Sequence, residues 1–481
     1  MKSCRIMDRI VGGDCIVLGY GVSNRPLVDC LMSHGAASVT VCAKRTEADM
    51  EASGDAAMLA AKGVSLRCGE DYLKGIQGDV IFRSPGIRPD LPEIRAAVDA
   101  GAILSSEMEL FIALTDATVI GITGSDGKTT TTTLISLMLK KQAELDGRGR
   151  VYLGGNIGTP LLAQVEEMTA ADFAVVELSS FQLMTMTESP RVAVVTNITP
   201  NHLNWHTDME EYIAAKANIC THPPVRRVVL NAGDDNTRAL GADVKAGVTW
   251  FSAYDETWTR DLPRLDARDA CVSEKDGVIL VGDTPALDVS RIRLPGRHNV
   301  ENYMTAIAAV SGLVTPEAIA AVADEFTGVE HRLELVRERD GVRYYNGSID
   351  SSPTRTCAAL RAMREMNERL GRPDPIVICG GQDKHVPFDP LAEGLCQMAK
   401  TVVLTGEARD QIMDALVRCP LYDPEKLPVH VIPDYRTAMR AACEMAESGD
   451  TVLLSPACTS FDAFKNFAER GKVFKSIVNA L

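Results

Sequence analysis

Short β-branched runs alternate along the chain with longer segments in which apolar residues recur every three or four positions. Apolar runs of four to six residues bounded by glycine or turn residues read as buried strands. The helical period between them reads as helices packed on parallel sheets. Three such blocks separate. The first, 1–115, holds CIVLG (15–19), SVTVCA (38–43), VSLRC (64–68) and DVIFR (79–83). The second, 116–327, holds the run from Val119, VYLG (151–154), FAVVE (173–177), VAVVTN (192–197) and RVVLN (227–231), then a more polar stretch around 255–290 that reads as short strands and turns. The third, 328–481, holds VRYYN (342–346), PIVICGG (375–381), KTVVLTG (400–406) and TVLLSPA (451–457). The expected fold is therefore α/β in three domains. The outer two are Rossmann-like, and the central one is a P-loop ATPase domain with a parallel sheet.

Within that pattern the stretch VIGITGSDGKTTTTTL (119–134) is strand, glycine turn and helix. It departs from the regular GxxxxGK[ST] loop, because Ile122 stands where the first glycine would. The physical logic survives: Gly124 and Gly127 let the backbone approach phosphate oxygens, Lys128 neutralises charge on the outer phosphates, and the Thr129 hydroxyl suits Mg²⁺. An earlier turn, Gly19-Tyr20-Gly21-Val22-Ser23-Asn24, has Asn24 at the third glycine position, and the second strand ends in Ala43-Lys44-Arg45, where a dinucleotide enzyme places an acid. NAD is disfavoured, while a diphosphate and a nucleotide contact from Arg45 stay open beside a plain structural turn.

Glu177 ends a strand and His202 follows another, which are positions where open α/β sheets collect ligands. One carboxylate and one imidazole near Thr129 suit a divalent ion beside a triphosphate. Lys216, inside MEEYIAAKANIC, reads by itself as a solvated lysine. Arg332 follows His331, and Lys384 follows a strand and two glycines; both would supply positive charge to a phosphoryl transfer. In LLSPACTSFDAFKNFAERG (453–471) a strand leads to a turn with Ser455, Thr459 and Ser460 that suits a carboxylate, then to a helix in which Phe461, Phe464 and Phe467 predict a core face.

Composition narrows the class. The net charge of −15 argues against a nucleic-acid or anionic membrane surface, and no run is long enough to span a bilayer, so a cytoplasmic protein is expected. The 13 cysteines form no CxxC pair, which favours free, buried thiols over zinc or disulfides.

Taken together, TGSDGKT, GGNIG (154–158), VELSSFQL (176–183), TPNHLNWH (199–206), AAKANI (214–219), LPGRHNVEN (294–302), EHR (330–332), GGQDK and SPACTSFDAFKNFAERG resemble the Mur ligases, over about residues 14–475, and most closely their D-glutamate-adding branch. The resemblance implies an ATP-dependent amide synthesis in which UDP-N-acetylmuramoyl-L-alanine is activated as an acyl phosphate and D-glutamate displaces the phosphate, with one or two Mg²⁺ ions and a monomeric enzyme. It assigns Gly124, Ser125, Asp126, Gly127, Lys128, Thr129, Thr130, Asn302 and Arg332 to ATP. Thr129, Glu177, His202 and, as a carbamate, Lys216 fall to metal, and Lys128, Glu177, His202 and Lys216 to catalysis. Gly19, Val22, Ser23, Arg45, Gly86 and Asn156 fall to the UDP-sugar, and Ser351, Lys384, Ser460 and Phe467 to D-glutamate.

The chain departs from the family pattern at Ala43, Asn204 and Ile349, and at Gly347, where an acid is usual near the adenine ribose; Asp350 lies three residues on. Another Mur-type or folylpolyglutamate-type ligase, or a nucleotide-binding homologue with weakened turnover, are the competing readings.

Overall fold

The computed structural model describes residues 5–253, 262, 270–384 and 386–481. They form two compact units, Met1–Asp288 with Glu301–Val322, and Val289–Val300 with Ala323–Leu481.

The first unit carries two sheets. One has the five parallel strands Ser65–Cys68, Ser38–Ala43, Asp14–Leu18, Val80–Arg83 and Ile103–Ser105, in that spatial order. Val17, Leu18, Val41 and Phe82 are fully buried, as expected of strands covered on both faces. The second has nine strands. Seven run parallel in the order Ala270–Lys275, Gly247–Phe251, Arg227–Asn231, Val192–Val195, Thr118–Thr123, Phe173–Glu177 and Val151–Gly155. Two antiparallel strands, Val278–Val281 and Thr284–Asp288, extend the edge next to Ala270–Lys275. The polar stretch around 255–290 thus includes three strands, while 254–261 and 263–269 lie outside the described residues. One buried cluster runs through both sheets, from Ile6 and Val17 to Ala193 and Trp250. The helix Glu107–Leu114 belongs to it through Met108, Leu110, Phe111 and Ile112.

Thr118–Thr123 sits between Val192–Val195 and Phe173–Glu177; the chain leaves it towards Val151–Gly155 on one side, but leaves Phe173–Glu177 towards Val192–Val195 on the other. Such a reversal opens a crevice at the carboxyl ends of the strands. Those ends carry Gly124, Glu177 and Thr196.

The second unit holds a six-stranded sheet in the order Glu334–Arg339, Val342–Asn346, Thr451–Leu454, Ile376–Gly380, Thr401–Thr405 and Val429–Val431, parallel except for the first pair. Here one expectation fails. The last helix starts only at Phe467 and ends at Asn479; Phe461 is 64% exposed and Phe467 39%, so the three rings do not make a core face. Asn466 caps this helix by accepting from the Glu469 N–H, which fixes its start after two of the three phenylalanines.

Every described cysteine is free, and Cys15, Cys42 and Cys379 are buried as expected. Burial pushes the Cys15 thiol up to about 12. Among the described residues, no helix is long and apolar enough to cross a membrane.

Candidate functional site

The strand Thr118–Thr123 delivers the chain into the glycine turn, and the 19-residue helix Lys128–Asp146 leaves it. Gly124 has φ 150°, and a Cβ there would lie 1.8 Å from the Thr196 hydroxyl oxygen. Gly127 has φ 78°, and a Cβ there would lie 2.4 Å from Asn302 Oδ1. Both glycines are thus required by backbone conformation and by crowding. The turn is held from outside: Thr196 Oγ1 donates to the Asp126 carbonyl (2.6 Å), the Asp126 N–H donates to Asn197 Oδ1 (2.9 Å), and Ser125 Oγ donates to the Thr199 carbonyl (2.8 Å) and lies 3.0 Å from the Tyr212 hydroxyl. Lys128 curls over the turn, Nζ donating to the carbonyls of Gly124 (2.9 Å) and Ser125 (3.0 Å). The result is a rigid, helix-headed glycine turn with an ammonium at its rim, the chemistry of a phosphate cradle.

Lys216 is not solvated. It is 1% exposed, its Nζ donates to the Gly124 carbonyl at 2.7 Å and lies 3.3 Å from Thr123 Oγ1, and it stands 4.7 Å from the centre of the Tyr212 ring. The helix Met209–Thr221 places Tyr212 and Lys216 one turn apart on its buried face. Burial, with the Lys128 charge adding, holds the Lys216 amine well below the ordinary lysine range.

Glu177, 1% exposed, accepts from Thr129 Oγ1 (2.8 Å) through one oxygen and from Asn156 Nδ2 (2.7 Å) through the other. The structure therefore joins an expected metal ligand, a phosphate-loop hydroxyl and an expected UDP-sugar contact in one network. His202 takes a left-handed backbone (φ 56°) and meets the Phe181 ring edge-on at 5.1 Å. Desolvation, with the Lys128 and Lys216 charges adding, holds its imidazole below the usual range, which favours the neutral form. Asn302 accepts from Thr131 Oγ1 (3.3 Å) against the Gly127 turn.

Among the described residues, no group of three or more His, Cys, Asp and Glu is placed to hold a metal ion. The Thr129 hydroxyl and the Glu177 carboxylate, 2.8 Å apart, are oxygen donors of the kind that suits Mg²⁺, an ion that keeps waters and substrate phosphates in its shell. The network Thr129–Glu177–Asn156 would hold the ion's neighbours in place.

In the first sheet, Gly19 (φ 84°) would press a Cβ to 2.5 Å from Ser84 Oγ. Asn24 is buried, and its Nδ2 donates to the Gly19 carbonyl (2.8 Å) and Ser84 Oγ (2.9 Å). The residue that replaces the third glycine is thus a staple joining the 19–24 turn to the turn that contains Gly86. Val22 is 73% exposed. Ser23 precedes the helix Asn24–Ser33 without a side-chain cap. Arg45 is paired with buried Asp55 at 2.9 Å.

In the second unit Lys384 Nζ donates to Ser351 Oγ at 3.3 Å. Ser460 is buried, the Phe467 ring meets the His331 ring edge-on at 5.9 Å, and Arg332 is exposed beside an isolated bridge to Val329. A Cβ on Gly347 would lie 2.6 Å from Asp350 Oδ2, so the Asp350 carboxylate occupies the space beside residue 347 where the family pattern expects an acid.

Several residues with parts in these sites escaped sequence reasoning. Arg470, fully buried, donates to the Cys458, Thr459 and Ser348 carbonyls. His206 is sandwiched by Phe181 and Tyr212, with Nδ1 3.1 Å from Glu211 and Nε2 2.9 Å from Ser180. Arg88 grips Glu211 in turn at 2.8 Å. Only Tyr212 had a local signal, its four-residue spacing from Lys216; the others are defined by partners up to 123 positions away.

Two family models match the chain, the Mur ligase middle domain over residues 122–310 and the glutamate ligase domain of Mur ligases over 331–458. The chain is 43% identical over 478 residues to a UDP-N-acetylmuramoylalanine–D-glutamate ligase of Clostridium novyi, covering 98% of each. It is 42% identical over 475 residues to the ligase of the same name in Ruminiclostridium cellulolyticum, covering 97% of this chain and 96% of that one. In fold it is similar to a UDP-N-acetylmuramoyl-L-alanyl-D-glutamate–2,6-diaminopimelate ligase (TM-score 0.56, 17% identity, 97% and 92% covered) and to a pseudomurein peptide ligase type C from Methanothermus fervidus (TM-score 0.50, 16% identity, 97% and 99% covered). With three sheets in the expected α/β arrangement and a full-length match to relatives of one kind, the chain belongs to the Mur ligase family.

Proposed function

We propose that this protein is the ATP-dependent ligase that joins D-glutamate to UDP-N-acetylmuramoyl-L-alanine, releasing ADP and phosphate, in bacterial peptidoglycan synthesis. The observation that carries the reading is the 43% identity over 98% of the chain to a ligase of that name; the glycine turn with Lys128 supports its ATP half. The division into domains 1–115, 116–327 and 328–481, a monomeric state and a cytoplasmic location belong to the same proposal.

A carboxylate is a poor electrophile, so the substrate carboxylate oxygen first bonds to the γ-phosphorus as the bond to ADP breaks. The amine of D-glutamate then attacks the acyl carbon, loses a proton, and phosphate leaves with the former carboxylate oxygen. Lys128 and the N–H groups of the turn neutralise the transferring phosphoryl group. Thr129, Glu177 and His202 are the residues that would hold Mg²⁺, which when bound neutralises phosphate charge. Lys216, its amine held well below the ordinary lysine range by burial, is able in its neutral form to add CO2, forming an N–C bond with loss of a proton and turning a buried amine into an anionic carbamate. Asn156 and the 19–24 turn are assigned to the UDP-sugar, and Ser351, Lys384, Ser460 and Phe467 to D-glutamate.

The test is phosphate release from ATP with each substrate omitted in turn. Release that requires both UDP-N-acetylmuramoyl-L-alanine and D-glutamate is expected. Incorporation of L-alanine, diaminopimelate or a folate glutamyl acceptor in place of D-glutamate overturns the assignment, and release without either substrate assigns the chain to another class.

A further inference from the structure

Two segments of the second unit carry residues assigned above to D-glutamate: the loop after the strand Val342–Asn346, with Ser351, and the turn after Thr451–Leu454, with Ser460. Both strands are parallel neighbours, paired from Arg343 with Thr451 to Asn346 with Leu454. The segments leave the sheet side by side, so what fixes them to one another beyond the ladder decides the relative placement of Ser351 and Ser460.

Two charged side chains take part, and they are of opposite sign; the Thr356 hydroxyl adds a bond to the Ser455 carbonyl and the Ser348 hydroxyl one to the Phe467 carbonyl. At the far end of the turn, Arg470 donates from Nε to Ser348 Oγ (3.1 Å) and from Nη2 to the Ser348 carbonyl (2.8 Å) and the Cys458 carbonyl (3.2 Å). At the near end, Ser455 Oγ donates to Asp350 Oδ2 and lies equally close, at 2.9 Å, to Thr356 Oγ1. Asp350 is 8% exposed and Ser455 fully buried. The carboxylate has room only because residue 347 is glycine, since a Cβ there would stand 2.6 Å from Oδ2. A buried acid is costly and needs compensation; burial raises the Asp350 carboxyl to about 7, against the Ser455 hydrogen bond and the Arg332, Arg355 and Arg470 charges, which lower it.

We propose that Asp350 is a positioning residue for D-glutamate, its bond to Ser455 setting the 346–351 loop against the 455–460 turn so that Ser351 and Ser460 address one ligand. The proposal rests on the assignment of those serines under Proposed function. Asp350 itself does not touch the amino acid. Arg470 keeps the two segments together without it, so the loss falls on alignment and not on folding.

The experiment measures kcat and both Michaelis constants for wild type, Asp350→Ala, Asp350→Asn, Ser455→Ala and the Asp350→Ala/Ser455→Ala double variant, with thermal melting of each. One hydrogen bond to a buried carboxylate is worth on the order of a tenfold change. Asp350→Ala and Ser455→Ala are each expected to raise the KM for D-glutamate about tenfold while the KM for UDP-N-acetylmuramoyl-L-alanine stays within about twofold. The double variant should be no worse than either single one. Asp350→Asn, which keeps an acceptor, should lie near wild type. An unchanged KM for D-glutamate in Asp350→Ala, effects that multiply in the double variant, or an equal fall in every parameter overturns the proposal. Wild type assayed in parallel separates the two levels: if it incorporates no D-glutamate, the functional reading fails and the proposal with it.

Discussion

Replacing Glu107 by glutamine should stabilise the first unit by an amount that grows as pH rises from about 4.5 to about 7 and is full above neutral pH. Glu107 opens the helix Glu107–Leu114 in the core shared by the first two sheets; it is 6% exposed, and its Oε1 has no hydrogen-bond partner. Burial raises its carboxyl from 4.5 to about 7, partly offset by the Leu162 N–H. The folded state therefore holds this proton more tightly than the unfolded chain. Its stabilising contribution is complete below about pH 4.5 and is lost as pH rises towards 7. Above that the buried anion costs about 3 kcal/mol relative to the neutral form. Glutamine is neutral throughout, so Glu107→Gln should gain about 2–3 kcal/mol over wild type near pH 8 and close to nothing near pH 4.5. All three tryptophans fall within Met1–Asp288, so urea unfolding followed by intrinsic fluorescence reads this unit. A gain of the same size at both pH values would show that the carboxyl does not titrate as its burial requires.

Three further outcomes are expected. Lys128→Ala should lower kcat by on the order of a thousandfold, since no other side chain of the turn supplies its charge; retained turnover in the phosphate-release assay would mean that the turn does not hold ATP. Lys216→Ala should be inactive and partly rescued by a small carboxylic acid in solution, if a carbamate is what this position supplies. Absence of rescue, with the variant folded by circular dichroism, would count against the carbamate. Asn24→Ala removes the hydrogen bonds that this buried side chain donates to the Leu18 and Gly19 carbonyls and to Ser84 Oγ, and should cost about 2–3 kcal/mol. An unchanged urea midpoint would show that the side chain does not staple the two turns.

Local pattern was enough for the strands and the phosphate turn. FAVVE and RVVLN form strands over the predicted residues, because a continuous β-branched run has one way to bury itself between helices. Gly124, Gly127 and Lys128 are legible for a similar reason: backbone freedom and a fixed charge at a helix start are properties of consecutive residues. Short strands such as Ile103–Ser105 and Val429–Val431 were not legible, since three residues carry no period.

Tertiary structure decided whatever depends on which segments meet. Lys216 reads as solvated in its own helix, and becomes buried because the Gly124 carbonyl, 92 positions away, closes over it. Asn24 looks like a defect in a glycine motif until Ser84 arrives to share its amide. The phenylalanines at 461, 464 and 467 promise a core face by spacing alone, but the Asn466 cap starts the helix too late for that face to form. Asp350 stands in the space that Gly347 leaves open, a relation fixed by the turn of the loop and not by order along the chain. Sequence by itself determined elements and backbone permissions, which are encoded by neighbours. Burial, charge state and partnership were settled only on folding, because the desolvation of a group is set by atoms brought to it from distant parts of the chain.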